Sequence, residues 1–259
     1  MYRINVDILF KTMIKGLFYG RWVAALMMLA LSSCMVVRAQ MVLGTQGLVN
    51  APTADMNPAG TFVGGITFVP KEMEMASGDY NTGIYYLDFS PFSWMELTFR
   101  ETLLKMEKYK NGTVHTGYYN QDRSTTFRVR PLAERDSIWW VPSVVVGVND
   151  IYSDHGNSRY TAVYMAVTKH VQFSGFGKLG ASVGYARKFD TGVVYDGVFG
   201  GIEYQPQGLD NFRVMADWDT SGLNVGAHLM LFRHLNMMVY TRRFQCIGAG
   251  ISYQYTIKY

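Results

Sequence analysis

The side chains of this sequence that could carry chemistry are few, and their spacing is poor for it. Its five histidines, His115, His155, His170, His228 and His234, fall into none of the short repeats that place two imidazoles on one metal ion. His170 and His234 read as solvated turn residues. A serine, a histidine and an acid come together once, in Asp154-His155-Gly156-Asn157-Ser158. An imidazole that takes a hydroxyl proton makes a nucleophile, so a lipid hydrolase acting through His155 and Ser158 is one reading. The same residue types are ordinary turn formers, and a loop does not hold a base and a nucleophile in register. No glycine-rich loop follows a strand and opens a helix, which speaks against nucleotide chemistry. Asn111-Gly112-Thr113 matches a glycosylation acceptor and reads as a turn. The expectation is therefore no catalytic residue, no metal and no cofactor.

A larger set of charges has a pattern instead. Asp88, Glu96, Arg100, Arg128, Arg130, Glu203, Arg213, Asp217 and His228 sit on the polar phase of segments whose other phase is apolar. At the carboxyl end, Ile251, Tyr253, Tyr255, Ile257 and Tyr259 alternate with Gly250, Ser252, Gln254, Thr256 and Lys258. Leu223, Val225, Ala227, Leu229 and Leu231 alternate with Asn224, Gly226 and His228, and Phe212, Val214, Ala216 and Trp218 with Arg213, Asp217 and Asp219. A period of two is the signature of a strand with one apolar and one polar face. Segments of about ten residues are long enough for a tilted strand to cross a hydrocarbon layer.

Such segments number about twelve, within roughly ten to fourteen, an even count that suits a closed transmembrane barrel. Their centres fall near Gly65, Leu87, Leu97, Arg128, Val145, Tyr164, Val183, Ile202, Val214, Ala227, Val239 and Tyr253. The connections alternate in character. Long polar ones are expected over Pro70 to Tyr80, Lys105 to Gln121, Asp150 to Arg159 and Lys188 to Tyr195. Tight ones are expected at Ser90-Pro91-Phe92, Gln205 to Leu209 and Arg233 to Leu235, with a further tight turn at Asp219-Thr220-Ser221-Gly222. The charged set then faces the lumen. There it could line a channel, or pair across a modest bore and fill it. Tyr109, Tyr118, Tyr119, Trp139 and Trp140 could stack on sugar rings, or form the aromatic girdle common to barrels.

Composition supports this frame. Aromatic residues make up 15% of the 259 residues and charged ones only 17%, a profile of membrane barrels. The amino terminus reads as an export signal: Arg3, Lys11, Lys15 and Arg21 precede an apolar run from Trp22 towards Val37, and Val37-Arg38-Ala39 offers a cleavage site. Residues 1–39 form the signal on this reading, 40–59 an extended amino-terminal segment, and 60–259 the barrel. The alternative takes Leu31-Ser32-Ser33-Cys34 as a lipoprotein signal that ends before Cys34, which would be lipidated. Only Cys34 and Cys246 are present, so the exported chain has no internal disulfide. The net charge of +4 gathers near the amino terminus, where Asp7 is the only acid among the first fifty residues. Nucleic acid is not an expected partner. Outer-membrane lipid is, and Tyr253, Tyr255 and Tyr259 resemble the last-strand signal read by the barrel-insertion machinery.

The stretch Gly47-Leu48-Val49-Asn50-Ala51-Pro52-Thr53-Ala54, followed by Gly60 and the first strand, resembles the opening of the YjbH family of exopolysaccharide-associated outer-membrane proteins. Gly200-Gly201-Ile202-Glu203-Tyr204, followed by Phe212 to Asp217, is similar to that family's strand pattern. The resemblance implies work in exopolysaccharide or capsule production or export in the outer membrane of a Gram-negative bacterium. Polysaccharide and other export components would be its partners, and it carries no known catalytic residues. A general porin is the alternative that the polar faces also allow.

Overall fold

The computed structural model describes residues 40–73, 79–135, 138–150, 160–189 and 195–257. They form an all-β, antiparallel, closed barrel of twelve strands. In chain order these are β1 (Thr61–Val69), β2 (Thr82–Phe92), β3 (Met95–Lys110), β4 (Thr113–Leu132), β5 (Ser143–Asn149) and β6 (Ala162–Phe173). They continue with β7 (Gly177–Lys188), β8 (Gly197–Pro206), β9 (Phe212–Trp218), β10 (Leu223–Leu231), β11 (Leu235–Arg242) and β12 (Gly248–Thr256). Each strand pairs with its sequence neighbours, and β1 closes the ring on β12 in the register Thr61↔Thr256 to Phe68↔Ala249. Closure gives every strand a neighbour on both sides, while the outer part of the β3–β4 hairpin, residues 103–110 with 113–121, pairs only within the hairpin. Among the described residues the one helical element is a single 3-10 turn, Lys71–Met73, and no helix is long and apolar enough to cross a membrane.

All twelve strand centres read from the sequence lie inside these strands. The connections differ in three places, each for a local reason. Lys105 to Gln121, expected as a loop, continues instead as a long β3–β4 hairpin with Tyr109 opposite Val114 and Lys108 opposite His115. Its turn is Asn111-Gly112, with φ of 52° and 75°, the left-handed pair that two-residue hairpins require. Ser90-Pro91-Phe92 belongs to β2, where the register shifts between Phe89 and Phe92; proline lacks the N–H that a regular ladder needs there. The turn follows at Ser93-Trp94. Gln205 and Pro206 likewise close β8 before their turn begins. At Asp219–Gly222 the expected tight turn is held by the Asp219 carboxylate, whose Oδ1 accepts the Gly222 N–H at 2.9 Å and the Ser221 N–H at 3.2 Å.

The two faces are inverted relative to a water-soluble barrel. Outward side chains are large and apolar: Ile202 and Val239 are each 54% exposed, and Leu87, Val183, Ile66 and Ile251 share that surface. Inward positions carry Asp88, Glu96, Arg100 and Arg128, each 0% exposed. Some inward positions pair an aromatic ring with a glycine across the ladder. The ring of Tyr164 lies where a Cβ on Gly147, its register partner, would come within 2.2 Å of it.

The ends of the barrel can be told apart by the chain. β1 starts and β12 finishes at one end, here the terminal end. The β3–β4 hairpin and the Asp219–Gly222 turn lie at the other, the distal end. Residues 40–60 do not run extended ahead of the barrel. As far as Asn57 they fold inside it, in turns tied by isolated bridges Gln40↔Gln46 and Gly47↔Pro52; every residue from Gln40 to Ala54 is buried, and Pro58 and Ala59 are exposed.

Candidate functional site in the barrel interior

The inner segment has both apolar and polar work to do. Met41, Leu43, Leu48, Val49 and Met56 pack against inward Ile84, Val145, Tyr164, Phe199 and Tyr240, making one apolar cluster across the lumen. Burying each such side chain contributes on the order of 1.5–3 kcal/mol. The polar backbone of a turn-rich segment also needs partners inside the barrel, and the inward charges supply them.

Near the distal end, Asp217 on β9 receives the segment. Its Oδ2 accepts the backbone N–H groups of Val49 at 2.7 Å, Asn50 at 2.9 Å and Ala51 at 3.4 Å. Its Oδ1 accepts the Asn224 side-chain amide at 2.7 Å. Successive N–H groups that point at one carboxylate oxygen form an anion nest. Asp219 continues the clamp: its Oδ2 accepts from Asn50 Nδ2 at 2.7 Å, Asn224 Nδ2 at 3.0 Å and Arg242 Nη1 at 2.9 Å. Burial alone would push the Asp219 carboxyl up, but the Asn50 hydrogen bond and the Arg242 guanidinium outweigh it and hold the group below its ordinary value. The Tyr195 hydroxyl, kept neutral by burial, donates to the Asn50 carbonyl at 2.8 Å.

Closer to the terminal end, Arg128 on β4 holds the other side of the segment. Nη1 donates to the Gln46 carbonyl at 2.8 Å and to Glu96 Oε1 at 3.1 Å, while Nη2 donates to the carbonyls of Thr53 and of Asp55, the latter at 3.1 Å. Glu96 Oε1 also accepts the Gln46 N–H at 3.2 Å. The guanidinium suits this task because its fixed fork reaches several acceptors at once. Asp88 accepts from Asn57 Nδ2 at 3.2 Å and from Thr98 Oγ1 at 2.7 Å. Arg100 donates to the Leu43 carbonyl at 3.3 Å, with its guanidinium 4.9 Å from the Tyr160 ring centroid.

A third group lies at the terminal mouth. His170 on β6 and Glu203 on β8 are register partners of the same residue, Gly180 on β7. A Cβ at Gly180 would come within 2.8 Å of the His170 ring and 2.7 Å of Glu203 Cγ. The glycine thus leaves the room in which the two side chains meet. Nδ1 of His170 faces Glu134 Oε2 at 2.9 Å, and Nε2 faces Glu203 Oε1 at 3.2 Å and Asp55 Oδ2 of the inner segment at 3.8 Å. Arg213 pins the other oxygen of Glu203 at 2.6 Å, and Lys169 pins the other oxygen of Glu134. Burial would raise the Glu134 carboxyl, but hydrogen bonds from Lys169 and His170 prevail and lower it.

Of the charges read as lumen-lining, Asp88, Glu96, Arg100, Arg128 and Asp217 all touch the inner segment. Glu203 and Arg213 form the ion pair at the mouth. His228 is buried opposite Arg213 in the register. Arg130 lies at the end of β4 and donates to the Ser93 carbonyl at 2.7 Å. His170 corrects the sequence reading: it is a strand residue with a 10% exposed side chain, not a solvated turn residue. His234 does lie in a turn, with its Nδ1 2.8 Å from the Gln254 carbonyl oxygen. Asp154 to Ser158, Cys34, the signal and Tyr259 lie outside the described residues. Asn50, Asn57, Asp55, Glu134 and Tyr195 escaped the sequence reading, because they belong to turns and loops that have no period to mark them.

The stretches singled out by resemblance are in contact. Val49, Asn50 and Ala51 of the first bind Asp217 of the second, and Gly201 is the register partner of Asp217. A Cβ on Gly201 would come within 2.7 Å of Asp217 Cβ. Among protein families, residues 39–258 match the one described as exopolysaccharide biosynthesis protein YbjH. No curated protein matches the chain.

Proposed function

Because this chain belongs to the YjbH exopolysaccharide biosynthesis family, we propose that it is an outer-membrane barrel that serves exopolysaccharide or capsule production or export without catalysing a reaction. The observation that carries the membrane reading is the inverted surface. A ring of outward apolar side chains surrounds a charged, hydrogen-bonded interior, whereas water-soluble proteins seldom expose a contiguous apolar patch beyond a few hundred Å². Lipid is the solvent that matches such an exterior.

The inner segment refines the reading. While Gln40 to Ala54 fill the lumen, no polymer passes through it, so a conduit role requires the segment to move and an accessory role does not. The test is genetic and biochemical. Deleting the gene should abolish or sharply reduce the extracellular polysaccharide of the native host, and the full chain should restore it from the outer-membrane fraction. Unchanged polysaccharide, or a chain recovered only from the soluble fraction, would contradict the proposal.

A further inference from the structure

We propose that Asp55, His170 and Glu203 form a divalent-metal site at the terminal mouth of the barrel, suited to Zn²⁺, which clips the inner segment to the wall. The three residues come from three separate parts of the chain: the inner segment, β6 and β8. One ligand atom from each lies within 4.8 Å of the others. Zinc takes nitrogen and carboxylate oxygen at about 2.0–2.2 Å, so the donors of a tetrahedral site stand about 3.4 Å apart. His170 Nε2 stands 3.2 Å from Glu203 Oε1 and 3.8 Å from Asp55 Oδ2, which brackets that spacing.

The surroundings orient the ligands. A carboxylate can only accept, and Glu134 Oε2 is the nearest of those that face the ring, at 2.9 Å from Nδ1 against 3.2 Å from Nε2 to Glu203 Oε1. With the proton on Nδ1, the Nε2 lone pair faces the carboxylate oxygens of Glu203 and Asp55. In that tautomer three acceptors converge on one point, and a cation between them relieves their repulsion. A carboxylate behind the far nitrogen is the usual outer partner of a metal-bound histidine. Arg213 and Lys169 occupy the outer oxygens of Glu203 and Glu134, which turns the inner ones towards His170. Gly180 supplies the space, since any Cβ there would displace both ligands. The side chains of His170, Glu203 and Asp55 are 10%, 12% and 22% exposed, so the site is sheltered but open to an entering ion. Three protein ligands leave the fourth position to water or to an exogenous group.

The competing occupant is a proton. An imidazolium would donate to Glu134 and Glu203 at once and need no metal. The two are separated by titrating the untagged, chelator-stripped full chain in detergent with ZnCl₂ against a chromophoric chelator, and with CoCl₂ while following the visible spectrum. One equivalent of Zn²⁺ should bind, and Co²⁺ should give the intense bands of a tetrahedral site. His170→Ala should abolish both, Glu134→Gln should weaken Zn²⁺ roughly 10–100-fold, and His234→Ala should change neither. Heat-modifiable gel migration identifies variants that still form the barrel. If His170→Ala does not, Glu203→Gln and the Co²⁺ spectrum of the unmodified chain decide. Absence of saturable one-to-one binding in the unmodified chain, or binding that survives loss of His170 in a folded barrel, would overturn the site.

Discussion

The Oδ2 atom of Asp217 accepts the Val49 backbone N–H at 2.7 Å, joining residues 168 positions apart in the chain. Three consecutive N–H groups converge on that oxygen, and no other charged side chain among the described residues receives as many from the inner segment. Asp217→Ala would orphan them inside the barrel. Hydrogen bonds to a charged group contribute about 1.5–3 kcal/mol, so docking of the segment should weaken by at least about 1.4 kcal/mol, a tenfold change. Hydrogen exchange at the amides of residues 40–57 measures this directly. Exchange there should accelerate tenfold or more, while the amides of β10 and β11 keep their protection.

Arg128 and Glu96 form an ion pair with both side chains 0% exposed. Removing one partner of such a pair leaves a bare buried charge and destabilises by about 3–5 kcal/mol. Arg128→Met should therefore lower resistance to urea in detergent micelles by that order, and Glu96→Gln by less, since the amide can still accept from Arg128. The double variant Arg128→Met/Glu96→Leu should be more stable than Arg128→Met alone.

Acid should loosen the distal clamp. The Asp219 carboxyl is held below its ordinary value when folded, so its stabilisation is fully present above the unfolded value of about 3.9. It is lost as pH falls through the lower, folded value. Amide protection at Gly222, whose N–H the Asp219 carboxylate accepts, should fall on acidification below about pH 4. In Asp219→Asn that component of the pH dependence should vanish, with protection already reduced at neutral pH.

The strands were legible in the sequence because their outward positions alternate with inward ones without interruption, as from Leu223 to Leu231. The even count and the terminal closure followed from that period. The β3–β4 hairpin was not read beyond Lys105, since Lys105, Glu107, Lys108 and Lys110 look like loop composition. Only Asn111-Gly112 signalled that the strands run on to a two-residue turn. The lumen charges were visible as a face, but their partners were not. Asp217, Arg128 and Asp88 bind backbone and amide groups of the inner segment, and a backbone N–H has no sequence signature. The segment has no strand period either, being held by a turn that ends at Gly44 and by the bridges Gln40↔Gln46 and Gly47↔Pro52, so its octapeptide registered as a resemblance and not as the filling of the barrel. His170 was misread because its setting is a row across three strands, with Gly180 beside it and Glu203 beyond.

Exposure alone does not distinguish Val239, in the middle of β11, from Val114, near the tip of the projecting hairpin: each is 54% exposed. A lipid-facing exterior does distinguish them. Val239→Arg should destabilise the barrel in bilayers by about 2–4 kcal/mol, the range found for a charge near the midplane. Val114→Arg should stay within about 0.5 kcal/mol. Unfolding titrations of both variants in lipid vesicles give the comparison, and equal values would place both residues in water.

Conductance in planar bilayers tests most directly whether the barrel is closed by its own amino-terminal segment. The chain beginning at Gln40 should insert and remain closed, and the same chain lacking residues 40–57 should open stable steps of ion current. Asp217→Ala should flicker between the two states. A chain that conducts steadily with residues 40–57 in place would contradict the closure, as would a folded barrel that stays closed without them.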